Sequence, residues 1–174
     1  ICGRVCHHPC EAECRRTDIE EAVAIRDIKR FLADFEASSG AVPDFMPKTE
    51  LRKERIAVIG SGPAGLTAAH YLNQEGFNVT VFEALPQAGG MLRAGINAFR
   101  LPRSVLDIEI KAIEHSGVTI ETNITVESMQ SLLDSGFDAV LLAAGTQADM
   151  ALSLPGEDLP GVNSCVNFLR AVNL

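Results

Sequence analysis

Three glycines with the spacing G-x-G-x-x-G stand directly after a short apolar run in this sequence. They are Gly60, Gly62 and Gly65, and the run Ile56–Ile59 has the β-branched composition of a buried parallel strand. The first glycine permits a tight turn, the second lets the backbone approach a pyrophosphate, and the third lets a helix pack closely on the sheet. Glu83, at the end of the next apolar segment, is placed to accept hydrogen bonds from ribose hydroxyls. The pattern predicts dinucleotide binding; the alternative is a tight strand–helix turn with an incidental surface glutamate.

Four of the five cysteines lie near the start of the sequence, at intervals of four residues. Closely spaced thiolates suit an iron–sulfur cluster, particularly beside a redox cofactor, so Cys2, Cys6, Cys10 and Cys14 are candidate ligands. A zinc site that also uses the histidines between them is a second interpretation, and structural thiols are a third. A disulfide cluster would need a secreted context, whereas nucleotide-dependent redox domains of this kind are usually intracellular.

Two further stretches could contact a dinucleotide. A short helix near Gly90–Arg93 would offer backbone N–H groups to a second phosphate or to a flavin edge. Arg93 itself is a candidate phosphate or flavin partner, with an exposed arginine as the alternative. The apolar segment 137–146 predicts a strongly buried strand that returns beside the first one. Its exit at Gly145 would let the backbone pass close to the dinucleotide.

The elements that must position these residues alternate between strands and helices. The patterns predict strands over 56–59, 78–82, 118–121 and 137–146, and helices over 17–37, 63–75, 104–114 and 164–173, with short helices near 90–93 and within 125–134. We expect Ser104 to cap its helix, Cys165 to be a buried apolar side chain, and the helix over 17–37 to pack the cysteine segment onto the main domain. Strands alternating with helices predict an α/β fold with a parallel sheet.

Composition excludes some functions. The formal net charge is −8, Trp is absent and Tyr occurs once, which argues against nucleic acid and anionic membranes as partners. No apolar run reaches membrane-spanning length, and no signal peptide is recognisable. The sequence begins with Ile inside a cysteine motif, so we interpret it as a fragment of a longer protein.

Longer motifs, in order along the whole chain, point to one enzyme family. They are CGRVCHHPCEAECRR, AVAIRDIKRF, GSGPAGLTAAHYL, VTVFEALPQAGGMLRAGI, FRLP, and LPGEDLPGV followed by FLRAVN. Together they resemble the small (beta) subunit of NADPH-dependent glutamate synthase. They are also similar to the flavin half of dihydropyrimidine dehydrogenase and to the large subunit of bifurcating NADH-dependent ferredoxin:NADP oxidoreductase.

The resemblance implies a Rossmann-like FAD-binding domain with a parallel sheet, preceded by the remnant of a small α-helical 4Fe-4S domain. Residues 1–37 would be the C-terminal part of the iron–sulfur domain, 38–53 a linker, and 54–174 the first part of the FAD-binding domain. The NAD(P)H-binding domain that the family inserts next, and the upstream cysteine motif that completes its clusters, are not in this sequence.

The resemblance also implies site residues. The family's cysteine motif maps to Cys6, Cys10 and Cys14, with Cys2 matching in type. No residue is expected to act as a general acid or base, because flavin carries the chemistry in such enzymes. The implied cofactor-binding positions are Gly60, Gly62, Pro63, Ala64, Gly65, Glu83, Ala84, Gly90, Met91, Leu92, Arg93, Gly145 and Thr146.

The function implied is a cytoplasmic oxidoreductase in which electrons pass from NAD(P)H through FAD to 4Fe-4S clusters and a partner. That partner would be a glutamate synthase large subunit or a ferredoxin. The same module serving a hydrogenase or a formate dehydrogenase is an alternative. A rival from a different class is a non-catalytic nucleotide-binding scaffold whose cysteine segment holds zinc.

Overall fold

The computed structural model of this chain describes residues 1–40 and 50–174. The elements within these ranges alternate as the sequence predicts from residue 55 onward. In chain order they are α1 (Cys2–Val5), α2 (Pro9–Ala12), a 3₁₀ turn (Arg15–Asp18), α3 (Ile25–Ser38), β1 (Arg55–Ile59), α4 (Pro63–Gln74), β2 (Asn78–Phe82), α5 (Met91–Ala94), α6 (Arg103–His115), β3 (Thr119–Glu121), α7 (Met129–Asp134), β4 (Ala139–Leu142) and α8 (Cys165–Asn173).

The four strands form one parallel sheet in the order β3-β2-β1-β4. In the central strand β1, Ile56 lies opposite Val79 of β2 on one side and Ala139 of β4 on the other. The carboxyl ends of neighbouring parallel strands lie at the same edge of the sheet, and ligands bind at this edge in open α/β folds. The α/β fold with a parallel sheet, predicted from the sequence, is therefore confirmed.

Alternate residues of β1 belong to two apolar cores, one on each face of the sheet, because successive side chains of a strand point to opposite faces. Ile56 and Val58 face the side on which α4 packs, and Ala57 faces the side of α7. A third cluster joins α4 to α6 through Leu66 and Leu106. Helices on both faces of the sheet bury it as a doubly wound fold requires.

Helix α3 begins at Ile25, so the helix predicted from residue 17 is wrong over its first two turns. A tertiary contact sets this start. The side chain of Glu11, on α2, accepts a hydrogen bond from the backbone N–H of Arg26 at 2.8 Å. It thus satisfies one of the first-turn N–H groups that have no partner within a helix. A local apolar pattern carries no information about such a distant cap.

The apolar face of α3 differs from the expectation in its burial. Ile28, Phe31, Leu32 and Phe35 are between about half and two-thirds exposed. The helix contacts α1 instead, where a Cβ on Gly3 would lie 2.5 Å from the backbone nitrogen of Arg30. No residue of α3 is buried.

Three smaller expectations are wrong. Strand β4 is an edge strand of the described sheet, and its Leu142 is 61% exposed, so the segment is not strongly buried. Cys165 is exposed, because it lies in the first turn of α8 outside the packed face. The N-cap of α6 is Pro102, so Ser104 does not cap it.

Of the predicted linker, Ser38 is helical, and residues 41–49 lie outside the described part of the chain.

Within residues 1–40 and 50–174, no helix has the length and apolar character needed to cross a bilayer.

Candidate functional site

The turn between β1 and α4 is built so tightly that two of its glycines accept no side chain. Gly60 has φ +100°, and a Cβ there would lie 2.5 Å from the carbonyl oxygen of Ala143. A Cβ on Gly65 would lie 1.8 Å from the carbonyl oxygen of Gly60. These distances are far below a van der Waals contact, so the backbone of the turn, the helix and β4 approach each other only because both positions are glycine.

Gly62, between them, has a different surrounding. No atom of the described chain lies within 4 Å of the position that its Cβ would occupy. Gly62 is the N-cap of α4, with an extended backbone, and Pro63 occupies the first helical position. The start of a helix presents backbone N–H groups and the positive end of the helix dipole. Gly62 therefore faces an open cleft at a place suited to an anion.

The carboxylate of Glu83 is turned toward the glycine turn. Glu83 is 6% exposed; its Oε2 accepts hydrogen bonds from Ser61 N, at 2.9 Å, and from Ser61 Oγ, while its Oε1 accepts from Leu85 N at 2.9 Å. A carboxylate can accept about four hydrogen bonds, so the described residues leave about one acceptor position on Glu83. Glu83 also lines the cleft. It can therefore hold the turn in place and still accept one ribose hydroxyl.

Ser61 is a site residue that the sequence analysis missed. It is fully buried, and its Oγ donates to Glu83 and accepts a hydrogen bond from Gly89 N at 3.1 Å. The hydroxyl thus ties the glycine turn to the end of β2 and to the loop before α5. A hydroxyl at the first variable position of G-x-G-x-x-G was the available signal, but that position is not restricted by the motif itself.

The second predicted loop packs directly on the first. Gly90 has φ +51°, and a Cβ there would lie 2.7 Å from the Cα of Gly62. Met91 begins α5 beside it, and both residues line the cleft. The side chain of Leu92 packs instead into the apolar cluster of Leu66 and Leu106.

Arg93 lies away from the cleft. The residue is 6% exposed; its Nε donates to the carbonyl oxygen of Ala88 at 2.6 Å, and its Nη2 pairs with Asp107 of α6. Both partners belong to the fold, so the structure gives this guanidinium a structural position. Its role as a cofactor partner stays an untested prediction.

The cleft therefore gathers nine of the thirteen predicted cofactor-binding residues. Gly65, Leu92, Arg93 and Thr146 are outside its lining. The predicted residues that line it are Gly60, Gly62, Pro63, Ala64, Glu83, Ala84, Gly90, Met91 and Gly145. The sequence analysis missed an apolar wall, with Ile124, Val126 and Ala143, and three polar residues, Thr125, Gln147 and Arg170.

Helix α8 reaches the cleft because side chains tie it to the loop region around α5. The guanidinium of Arg103 donates to the carbonyl oxygen of Ile96 at 3.0 Å and to Asn173 Oδ1 at 2.8 Å. Asn173 Nδ2 in turn donates to the carbonyl oxygen of Ala94 at 3.1 Å. Burial, together with the nearby charge of Arg93, lowers the pKa of Arg103 from its ordinary value. These contacts fix α8 beside the loop region around α5, and Arg170 of this helix lines the cleft.

The predicted metal ligands are not assembled into a site. Within the described residues, no group of three or more His, Cys, Asp or Glu side chains is close enough to hold a metal ion. Cys6 Sγ accepts a hydrogen bond from His8 N at 3.3 Å. Hydrogen bonds from the backbone of Val23 and Arg16 lower the pKa of the Cys14 thiol, which favours the thiolate form that ligates metals. The ligand assignment therefore stays a prediction.

Two family models match the chain, in the order that the motifs predict. Residues 1–41 match the 4Fe-4S cluster domain II of dihydropyrimidine dehydrogenase. Residues 58–117 match an NAD(P)-binding Rossmann-like domain. The two cofactor classes predicted from the sequence, iron–sulfur and dinucleotide, are confirmed at this level.

Curated relatives align with nearly the whole chain. The beta subunit of the NADP(+)-dependent formate dehydrogenase of Moorella thermoacetica is 42% identical; the alignment covers 100% of this chain and 28% of that protein. The small chain of the NADPH glutamate synthase of Bacillus subtilis is 38% identical, with 96% of this chain and 34% of that protein covered. The chain thus spans about a third or less of the length of these two relatives.

Among solved structures, the FprA protein of Mycobacterium tuberculosis in complex with NADPH has a similar fold, with a TM-score of 0.60 and 31% sequence identity. The matched region covers 68% of this chain and 28% of the FprA chain. The alignments with these relatives cover 96–100% of the chain, and so include both the cysteine segment and the nucleotide-binding region. The chain therefore belongs to the family of NAD(P)H-dependent FAD and iron–sulfur oxidoreductases that resemble the small subunit of glutamate synthase.

Proposed function

We propose that the cleft along the glycine turn binds FAD, in a protein that passes electrons from NAD(P)H through FAD to 4Fe-4S clusters and on to a partner subunit. The observation that carries the proposal is the pair formed by Gly62 and Glu83. Gly62 opens onto free space at the start of α4, and Glu83 keeps about one acceptor position beside it. A diphosphate and the adjoining ribose of a dinucleotide fit these two features in that order.

Bound FAD would supply the chemistry, since flavin accepts a hydride and releases single electrons. The residues of this chain supply binding and orientation. The N–H groups at the start of α4 would face the diphosphate, Glu83 would orient the ribose, and Ile124 and Val126 would exclude water along one wall. Gly60 and Gly65 keep the turn close enough to the sheet for this arrangement.

For the cysteine segment we propose a 4Fe-4S role, with Cys6, Cys10 and Cys14 as ligands and Cys2 as a further candidate. The backbone hydrogen bonds that lower the pKa of Cys14 support it. Residues 1–37 would then be the iron–sulfur part, 38–53 the linker and 54–174 the FAD-binding part. Ligands from other segments would complete the clusters.

The whole protein's reaction and partners belong to the same proposal. The first candidate partner is a large subunit like that of glutamate synthase, or a ferredoxin. A formate dehydrogenase partner is supported by the Moorella thermoacetica relative. We expect a cytoplasmic location, with NAD(P)H bound by a domain outside this sequence.

The decisive experiment is an absorption spectrum of the intact natural protein, purified without oxygen, with iron, zinc and flavin measured on the same sample. We expect flavin bands over a broad iron–sulfur shoulder, both bleached by NADPH or NADH. The nucleotide that bleaches them identifies the donor. A colourless protein that contains zinc would support the scaffold interpretation and contradict the redox proposal.

A single substitution tests the cleft itself. Gly62→Val should leave the fold intact, because a Cβ at this position opens onto free space, and should reduce bound flavin to background, because the branched side chain fills the place of the diphosphate. Thr67→Val, on the exposed side of α4, is the control and should retain flavin. A folded Gly62→Val protein with the parent's flavin content would show that FAD binds elsewhere.

A further inference from the structure

Arg170 has an unusual position among the residues that line the cleft. Among the lining residues in the described chain, Arg170 is the one cation and Glu83 the one anion. The carboxylate of Glu83 is engaged by the N–H and hydroxyl of Ser61 and by the N–H of Leu85. The negative charge of Glu83 is thus already neutralised in part by hydrogen bonds, and Arg170 supplies the positive charge among the lining residues.

The guanidinium of Arg170 is held but not fully satisfied. Its Nη2 donates to Gln147 Oε1 at 2.9 Å and to the carbonyl oxygen of Gln147 at 3.3 Å. Its Nε is buried and has no hydrogen-bond partner in the described part of the chain. A buried N–H of a charged group without an acceptor is unfavourable, so the unpaired Nε calls for a structural or functional explanation.

The direction of this guanidinium is fixed from two sides. Gln147, its acceptor, is itself anchored by a hydrogen bond from Nε2 to the carbonyl oxygen of Ala144 at 3.2 Å. The contact between Arg103 and Asn173 holds the end of α8 near α5. Arg170 is therefore placed over the cleft before any ligand binds, which reduces the entropic cost of using it.

We propose that Arg170 is a binding residue for the diphosphate of the dinucleotide, an inference that rests on the proposed FAD site. The diphosphate is the anionic part of a dinucleotide, and guanidinium groups bind phosphate oxygens through paired hydrogen bonds. The other positive feature of the same cleft is the start of α4 at Gly62. An anion between the two would receive N–H donors from α4 on one side and from Arg170 on the other.

The test is a titration of FAD into the flavin-free intact protein, followed by the quenching of flavin fluorescence, at low and at high NaCl. Arg170→Gln should raise the Kd for FAD by about 10- to 100-fold at low salt, as loss of a charge-assisted contact does. It should also reduce the salt dependence of the Kd, because a screened charge pair has been removed. Arg170→Lys should fall between the parent and Arg170→Gln.

Two matched variants separate binding from folding. Arg100→Gln removes one exposed positive charge outside the cleft and should change the Kd by less than about twofold. Gln147→Ala removes the side-chain acceptor but leaves the charge, so its effect should be smaller than that of Arg170→Gln. Circular dichroism of each flavin-free variant shows whether α8 is still formed.

The outcomes distinguish this inference from the proposed function. If the parent protein binds no FAD, the proposed function fails and this inference fails with it. If the parent binds FAD and Arg170→Gln matches Arg100→Gln, only the role of Arg170 is refuted. A further outcome is that Gln147→Ala weakens FAD binding as much as Arg170→Gln does, while the Kd of both variants keeps the salt dependence of the parent. In that case Arg170 acts by anchoring α8 and does not contact the diphosphate.

Discussion

Helices α3 and α4 show the same kind of apolar pattern in the sequence and reach opposite outcomes in the structure. In α4, Leu66 and Ala69 are almost completely buried. In α3, no residue is buried, and Phe31 is 67% exposed. Helix α4 connects β1 to β2 in the chain, and these two strands pair with each other. The sheet surface on which α4 packs is therefore formed by the residues just before and just after the helix. Helix α3 packs on the short helix α1, and this contact leaves none of its residues buried.

This difference extends to the chemistry of the two regions. The cleft of the nucleotide-binding region is formed by three turns that follow neighbouring strands, so the chain brings Gly62, Glu83 and Gly145 together by its own topology. The cysteine segment brings together no comparable set of ligands within the described residues. A parallel βαβ unit assembles its site locally, whereas a cluster domain depends on contacts from distant segments.

The largest expected effect that tests this comparison is at Gly65. Gly65→Ala places a methyl group 1.8 Å from a backbone oxygen, so the nucleotide-binding region should not fold, with a loss of more than about 3 kcal/mol. Thermal unfolding and soluble yield measure it. Gly62→Ala, in open space three residues earlier, is the matched control and should change stability by less than about 1 kcal/mol. Equal effects at the two glycines would contradict the geometry of the turn.

An effect of intermediate size on the free energy of unfolding is expected from the comparison of two leucines. Leu106→Ala should lower the free energy of unfolding by about 2–5 kcal/mol, because this side chain is fully buried between α4 and α6. Leu32→Ala, on the exposed face of α3, should lower it by less than about 0.5 kcal/mol. Urea unfolding of both variants of this chain makes the comparison. A cost at Leu32 close to that at Leu106 would show that α3 is buried in solution.

The smallest expected effect on the nucleotide-binding region comes from the cysteines. Cys6→Ser, Cys10→Ser and Cys14→Ser should each lower the iron content of the intact natural protein while FAD content and the unfolding of the nucleotide-binding region stay unchanged. Cys165→Ser, exposed on α8, is the control and should retain all the iron. Iron equal to that of the parent in a variant would remove that cysteine from the ligand set.

The sequence predicted most of the nucleotide-binding region because its signals are local. Strand β2 has the predicted bounds, α4 differs from prediction by one residue, and Gly60 and Gly65 are as crowded as the motif implies. The predictions that were wrong depended on distant contacts. Glu11 decides where α3 begins, and a position at the sheet edge leaves β4 exposed.

The site itself divides in the same way. Nine of the positions that the resemblance implied line one cleft, and the glycine motif by itself had indicated three of them, Gly60, Gly62 and Glu83. Ser61 and Arg170 were missed, because a serine within a glycine motif and an arginine on a late helix have no distinctive local pattern. Arg93 was proposed from its neighbourhood in the sequence, but Asp107 and the carbonyl of Ala88 hold it away from the cleft.

By itself, the sequence determined the parallel α/β fold, the glycine turn and the dinucleotide class of cofactor, since strand composition and glycine spacing act over short stretches of chain. Cysteine spacing alone left an iron–sulfur cluster, zinc and structural thiols open, and the resemblance of the longer motifs favoured the iron–sulfur cluster. Only the tertiary structure decided which side chains face the cleft. The direction of Glu83, the inward position of Arg93 and the position of Arg170 at the cleft each depend on hydrogen bonds between residues far apart in the chain or on separate elements. Such contacts exist only after folding has brought their partners within about 3 Å.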